Sequence, residues 1–144
     1  MNATNLATGT CAYVVSTFVV QALSHFVINR EHYAAVNFLR PEPIFALGLA
    51  SMVVQGALLT FLFSRHRGSS TGWKRGWAFG LLTGMFFVSY PVLAEPAKYA
   101  VPSITSWMLV EVVAGFFQFS LFGLALGWIQ RAEPSPGRTG PRRV

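Results

Sequence analysis

Apolar residues in this chain do not alternate with polar ones at a strand or surface-helix period. They come in four blocks, Cys11 to Asn29, Ile44 to Phe63, Gly76 to Ala97 and Ser106 to Ile129, separated by short polar segments. Each block is close to the roughly 20 residues that an α-helix needs to cross bilayer hydrocarbon. A helix on the surface of a soluble domain would show a polar face every three or four residues. These blocks are apolar almost all round, as helices in lipid are. Because spanning helices satisfy their own backbone, the pattern predicts an all-α polytopic membrane protein. The expected layout is one transmembrane domain over residues 1–130, with helices at about 11–29, 44–63, 76–97 and 106–129 in an up-down bundle. A disordered, basic cytoplasmic tail over 131–144 follows.

Composition sharpens this. The chain is 53% hydrophobic and 11% charged, against about 25% charged in soluble domains. The net charge of +6 points to topology rather than to nucleic acid. Arg65, Arg67, Lys74 and Arg75 lie between the second and third blocks, and Arg131, Arg138, Arg142 and Arg143 follow the fourth. Those eight share a side with the N-terminus, against Arg30, Arg40 and Lys98 opposite. Basic loops stay inside, so both termini are expected in the cytoplasm of a bacterial inner-membrane protein. "MNATNLATGT" offers no basic residue ahead of the first block, so that block is expected to stay rather than be cleaved. Cys11 is the sole cysteine, which excludes an intrachain disulfide.

The longest external connection, "REHYAAVNFLRPEP", is expected to form an interfacial turn with Tyr33, Val36 and Phe38 or Leu39 toward the membrane. Trp73 and Trp77, and Trp107 and Trp128, stand where indole rings favour the headgroup boundary. Pro91 and Pro96 predict a kinked or unwound outer half of the third helix.

Gly72, Gly76, Gly80 and Gly84 recur every fourth residue, and the fourth block repeats the device with Gly115, Gly123 and Gly127. Such rows let helix backbones approach closely where lipid supplies no hydrophobic drive. The spacing leaves open whether they meet within one chain or between chains, and a bundle needs its own interior first.

Polar residues at membrane depth form narrow faces. Gln21 and His25 are one turn apart, as are Ser51 and Gln55, while Glu111 and Gln118 are two turns apart. In the expected topology Glu111 lies roughly 8 Å below the external surface. It shares that leaflet with His25, Tyr90, Glu95 and Lys98, beneath His32, Arg40 and Glu42. Carboxylates and amides in lipid must face one another, either as structural pairs or as a ligand or proton site. The candidate set is Glu111, Glu95, His25, Lys98, Tyr90, Gln118, Gln21 and Gln55. The partner expected for Glu111 is Lys98, Arg40 or a protonated His25.

Catalytic signals are lacking: there is no nucleophile elbow, phosphate loop or HExxH pattern. His66 falls on the opposite side from His25 and His32, which argues against haem, and His25, His32 and a glutamate have no recognised zinc spacing. No cofactor or metal is expected. "FLRPEPIFALGLASMVVQG", "GWAFGLLTGMFF", "LAEPAKYAV" and "SWMLVEVVAGFFQFSLFGLALG" together resemble a group of small, uncharacterised bacterial four-helix membrane proteins over about residues 38 to 129. That resemblance implies an integral inner-membrane protein and carries over no site residue.

Three functions fit. The first is a non-enzymatic bundle acting by association, as a homo-oligomer or as an accessory subunit among other membrane proteins. The second is a binding or transport protein for a small ligand, lipid or proton. The third is an enzyme on a lipid or quinone.

Overall fold

The computed structural model describes residues 1–36, 40, 42–65 and 72–130. The tail and His66, Arg67, Phe38 and Leu39 lie outside them. All the regular structure among the described residues is helical, and four helices are long and apolar enough to cross a membrane. We label them in chain order: α1 is Ala3–Ile28, α3 is Phe45–Arg65, α4 is Trp73–Lys98 and α5 is Ile104–Ile129. The short α2, Arg30–Ala34, lies between α1 and α3.

The helix ends follow from local chemistry. α1 starts well before the first apolar block because the Asn2 side chain accepts the Asn5 amide at 2.7 Å, capping an otherwise unsatisfied first turn. Ser103 caps α5 in the same way, after Pro102. α4 is preceded by Gly72 at φ +61°, a left-handed conformation that suits glycine.

Neither α1 nor α4 is regular throughout. α1 widens into a π-helical turn at Ser24–Ile28, where the Asn29 amide reaches the Ser24 carbonyl and Asn29 Nδ2 donates to Ser24 Oγ at 3.1 Å. No proline or glycine in the chain there foreshadows this turn. In α4 the two prolines produce a π turn at Tyr90–Ala94 followed by an α turn at Glu95–Lys98, so the helix widens rather than unwinds. The Glu95 amide is taken by the Tyr90 carbonyl. The next amide along would belong to Pro96, which has none, so the Pro91 carbonyl lacks a backbone donor. The Trp107 indole supplies it, donating to Pro91 O at 2.9 Å.

α5 is the hub. Its buried residues, Ala114, Gly115, Gln118, Phe119, Phe122, Gly123, Leu126 and Gly127, form a stripe wide enough to serve both α4 and α1. Against α4 the glycine rows meet backbone to backbone within the chain. A methyl group on Gly76 would collide with Gly123 O and lie 2.6 Å from Gly127 Cα, and one on Gly80 would collide with Phe119 O. Gly84 packs on Phe119, Gly115 on Val88 and Gly127 on the Gly72 carbonyl. The main apolar core gathers Tyr13, Leu59, Phe63, Phe79, Phe119, Phe122 and Leu126.

α3 packs mainly on α1, and its bonds to α4 and to the end of α5 lie at its Arg65 end. There the Arg75 guanidinium donates to Phe63 O at 2.8 Å and lies over the Phe63 ring, Phe63 meets Phe79, and Gln130 Nε2 donates to Thr60 O at 3.4 Å. Toward its start, Phe45, Leu47 and Leu49 are exposed, and nothing lies within 4 Å of where a Gly48 Cβ would be.

α2 departs from the expected membrane-facing turn. Tyr33 and Val36 are buried with Trp107 in a second small core. Trp107, at 3% exposure, therefore packs inside the protein instead of marking the lipid boundary. Tyr33 turns inward because a carboxyl of α5 awaits its hydroxyl.

Candidate functional site

Four of the candidate side chains converge on one interior cavity. Gln21 from α1, Gln55 from α3, and Glu111 and Gln118 from α5 line a space of about 130 Å³, completed by Tyr13, Phe87, Val88, Pro91, Gly115 and Phe119. The helical repeats that set these residues one or two turns apart on their own helices also aim them at a shared interior. The widened turn of α4 contributes Pro91 to the wall.

Hydrogen bonds organise the polar groups into two linked pairs. Gln21 Nε2 donates to Gln118 Oε1 at 2.7 Å, and Tyr13 Oη donates to Gln55 Oε1 at 2.6 Å, with Gln55 Nε2 passing on to Ser51 Oγ at 2.9 Å. Such interhelical bonds between amides orient a bundle in a medium that offers no competing water.

Glu111 is partnered by neither Lys98, Arg40 nor His25. The Tyr33 hydroxyl donates to Glu111 Oε1 at 2.8 Å. Tyr33 in turn lies between the His25 ring, stacked on it at 3.7 Å between centroids, and the edge-on Trp107 ring at 5.9 Å. Burial, followed by the charge of the neighbouring carboxylate, pushes the Tyr33 phenol above its ordinary range. A neutral phenol is thus the form the fold selects, and it keeps its proton for Glu111.

The remaining candidates stand apart. Lys98 Nζ lies 3.4 Å from the Tyr90 hydroxyl and over the Tyr90 ring, and both residues are exposed. Glu95 is partly buried but does not line the cavity. His25 borders the site from outside, through Tyr33 and through a second space described next. Sequence reasoning missed Tyr13 and Tyr33. The signal was present in principle, since a carboxylate in lipid needs a donor and a phenol is the one uncharged side chain of the α1–α3 connection that is both long and acidic enough to serve. Among the described residues no three His, Cys, Asp or Glu side chains are grouped closely enough to hold a metal ion.

Beside the cavity, the loosely held start of α3 leaves an apolar groove of about 520 Å³ against α1. Phe18, Ala22 and Phe26 form one wall, and Phe45, Leu49 and Met52 the other, with Gly48 at the floor and His25 at one end. Gln21 lines both spaces, so the groove and the polar cavity share a wall. Comparisons with protein-family models, with curated proteins and with solved structures give no match.

Proposed function

We propose that this is a non-enzymatic, multi-pass inner-membrane protein that binds a membrane-borne amphiphile, with the apolar tail in the α1–α3 groove and the polar head in the cavity behind Gln21. The observation that carries this reading is the shared Gln21 wall: an apolar groove abuts a cavity lined by three amides and a carboxyl. Small-molecule sites are typically concave and mostly apolar, with a few convergent polar groups. In the proposed topology the four spanning helices run up and down with both termini in the cytoplasm, following the excess of basic residues at the Arg75 end. The cavity then lies in the outer leaflet. Tyr33 reaches Glu111 from the α1–α3 connection and packs with Val36 and Trp107, so in this reading a ligand arrives sideways from the bilayer.

The association reading drew on the glycine rows, the lack of catalytic motifs and the small size; because both rows meet within one chain, they no longer favour it. The test is a plug. Gly48→Phe projects a ring into the groove from a position where nothing opposes it. Lipid extracted from the purified variant and measured by mass spectrometry should lose a species that the natural chain retains, while the variant unfolds at the same detergent composition. Identical lipid content in the two proteins would refute the site.

A further inference from the structure

The hydrogen bonds that the cavity leaves unmade specify the head of the ligand. Glu111 accepts one bond, on Oε1, and its other carboxyl oxygen receives no donor among the described residues. Gln21 spends its amide nitrogen on Gln118, and its own carbonyl oxygen receives no donor among the described residues. Gln118, at 5% exposure, accepts from Gln21. Even with one amide hydrogen turned to the Tyr13 hydroxyl, its nitrogen keeps a second hydrogen for which no acceptor is seen among the described residues. Gln118 is buried and Glu111 and Gln21 are half-buried, and together they present two acceptors and one donor, which no described residue is seen to take up, to a cavity of about 130 Å³.

Charge narrows the field further. No lysine, arginine or histidine lines the cavity, and the nearest described cation of α4, Lys98, is turned to Tyr90. An anionic head would meet a carboxyl with no counter-charge, which rules against a net-anionic phospholipid.

We infer that the ligand is a lipid with a small, uncharged, hydroxyl-bearing head, whose hydroxyl donates to Glu111 Oε2 and accepts from Gln118 Nε2. A hydroxyl is the smallest group that both donates and accepts, so one hydroxyl answers an open acceptor and the open donor together. Two sources present this chemistry, a lipid alcohol such as a monoacylglycerol and a hydroquinone on a prenyl tail. This inference rests on the lateral site proposed above.

The test compares detergent-solubilised natural chain, Glu111→Gln and Gly48→Phe by native mass spectrometry against five probes. These are a long-chain monoacylglycerol, a prenylated hydroquinone, the matching quinone, dioleoylphosphatidylglycerol and oleylamine. The natural chain should bind the monoacylglycerol, the hydroquinone or both at least about tenfold more tightly than the phospholipid and the quinone, and which of the two binds identifies the source. Glu111→Gln keeps its oxygen for Tyr33 and turns an amide toward the ligand, removing an acceptor, so binding should weaken about tenfold. Tighter binding of oleylamine would make Glu111 a counter-ion and overturn the hydroxyl assignment, as would equal binding of quinone or phospholipid. In each of those cases sensitivity to Gly48→Phe would leave the lateral site standing. Binding of any probe that ignores Gly48→Phe would overturn the lateral site itself.

Discussion

Adding one methyl group to Gly76 tests the packing that holds the bundle together. A Cβ there would collide with the Gly123 carbonyl oxygen and lie 2.6 Å from both Gly127 Cα and Gly127 N. Non-bonded carbons rest at about 3.5–4.0 Å, so α4 and α5 must separate by about 1 Å, and backbone atoms have no rotamer by which to yield. A gap of that size forfeits a quarter to a half of each dispersion contact it opens. If the glycine seam is comparable to one large buried side chain, about 50 atom pairs at roughly 0.15 kcal/mol each, the loss is about 2–4 kcal/mol. Gly48→Ala is the control, because nothing lies within 4 Å of its Cβ. Both substitutions gain up to about 1 kcal/mol of helix propensity, so the difference between them isolates packing. Reversible unfolding in mixed dodecylmaltoside and SDS micelles, followed by helical circular dichroism, measures it. Gly76→Ala should unfold at a lower SDS fraction, by about 2–4 kcal/mol relative to Gly48→Ala. Coincident transitions would show that the two rows do not meet in the folded chain.

Three further outcomes follow from the same contacts. Trp107→Phe removes the only donor seen on the Pro91 carbonyl and should cost about 1–3 kcal/mol in the same assay; adding Pro96→Ala, which restores an amide at position 96, should recover part of that loss, and simple additivity would count against the pairing. The Tyr33 phenol is raised in the folded protein above its ordinary 10.0, so the stability it contributes is complete below about pH 10 and is lost as pH climbs through the folded value. The natural chain should therefore lose stability above pH 10 more steeply than Tyr33→Phe does, and parallel curves would place Tyr33 in solvent. Cys11 is exposed on the N-terminal part of α1. In the proposed topology it should resist a membrane-impermeant maleimide added to intact cells and react after permeabilisation, whereas prompt labelling from outside would invert the bundle.

The reach of the sequence differs from one feature to another, and the reason lies in how local each determinant is. Spanning helices are legible because backbone satisfaction in lipid is a local requirement: about 20 apolar residues suffice whatever the neighbours do. The glycine rows and the polar faces were readable for the same reason, since a helical repeat fixes which residues share a side. The chain alone did not reveal which sides face each other. Gln21 and Gln118 are 97 residues apart and Tyr33 and Glu111 are 78 apart, and only the assembled bundle makes them partners.

Tyr33 and Trp107 show the limit most plainly. By local rules a tyrosine in a polar connection and a tryptophan at a helix start are interfacial anchors, and here both are buried. Two long-range hydrogen-bond demands decided it, a carboxyl of α5 without a cation and a carbonyl of α4 orphaned by Pro96. The sequence by itself determined an all-helical chain with four membrane-length helices, the positions of its small-residue seams and the helix faces that its polar groups share. Tertiary structure decided that both seams close within one chain, that Glu111 is held by a phenol, and that α1 and the start of α3 leave an apolar groove beside the polar cavity. Each of these depends on the distance between helices, which no single helix encodes.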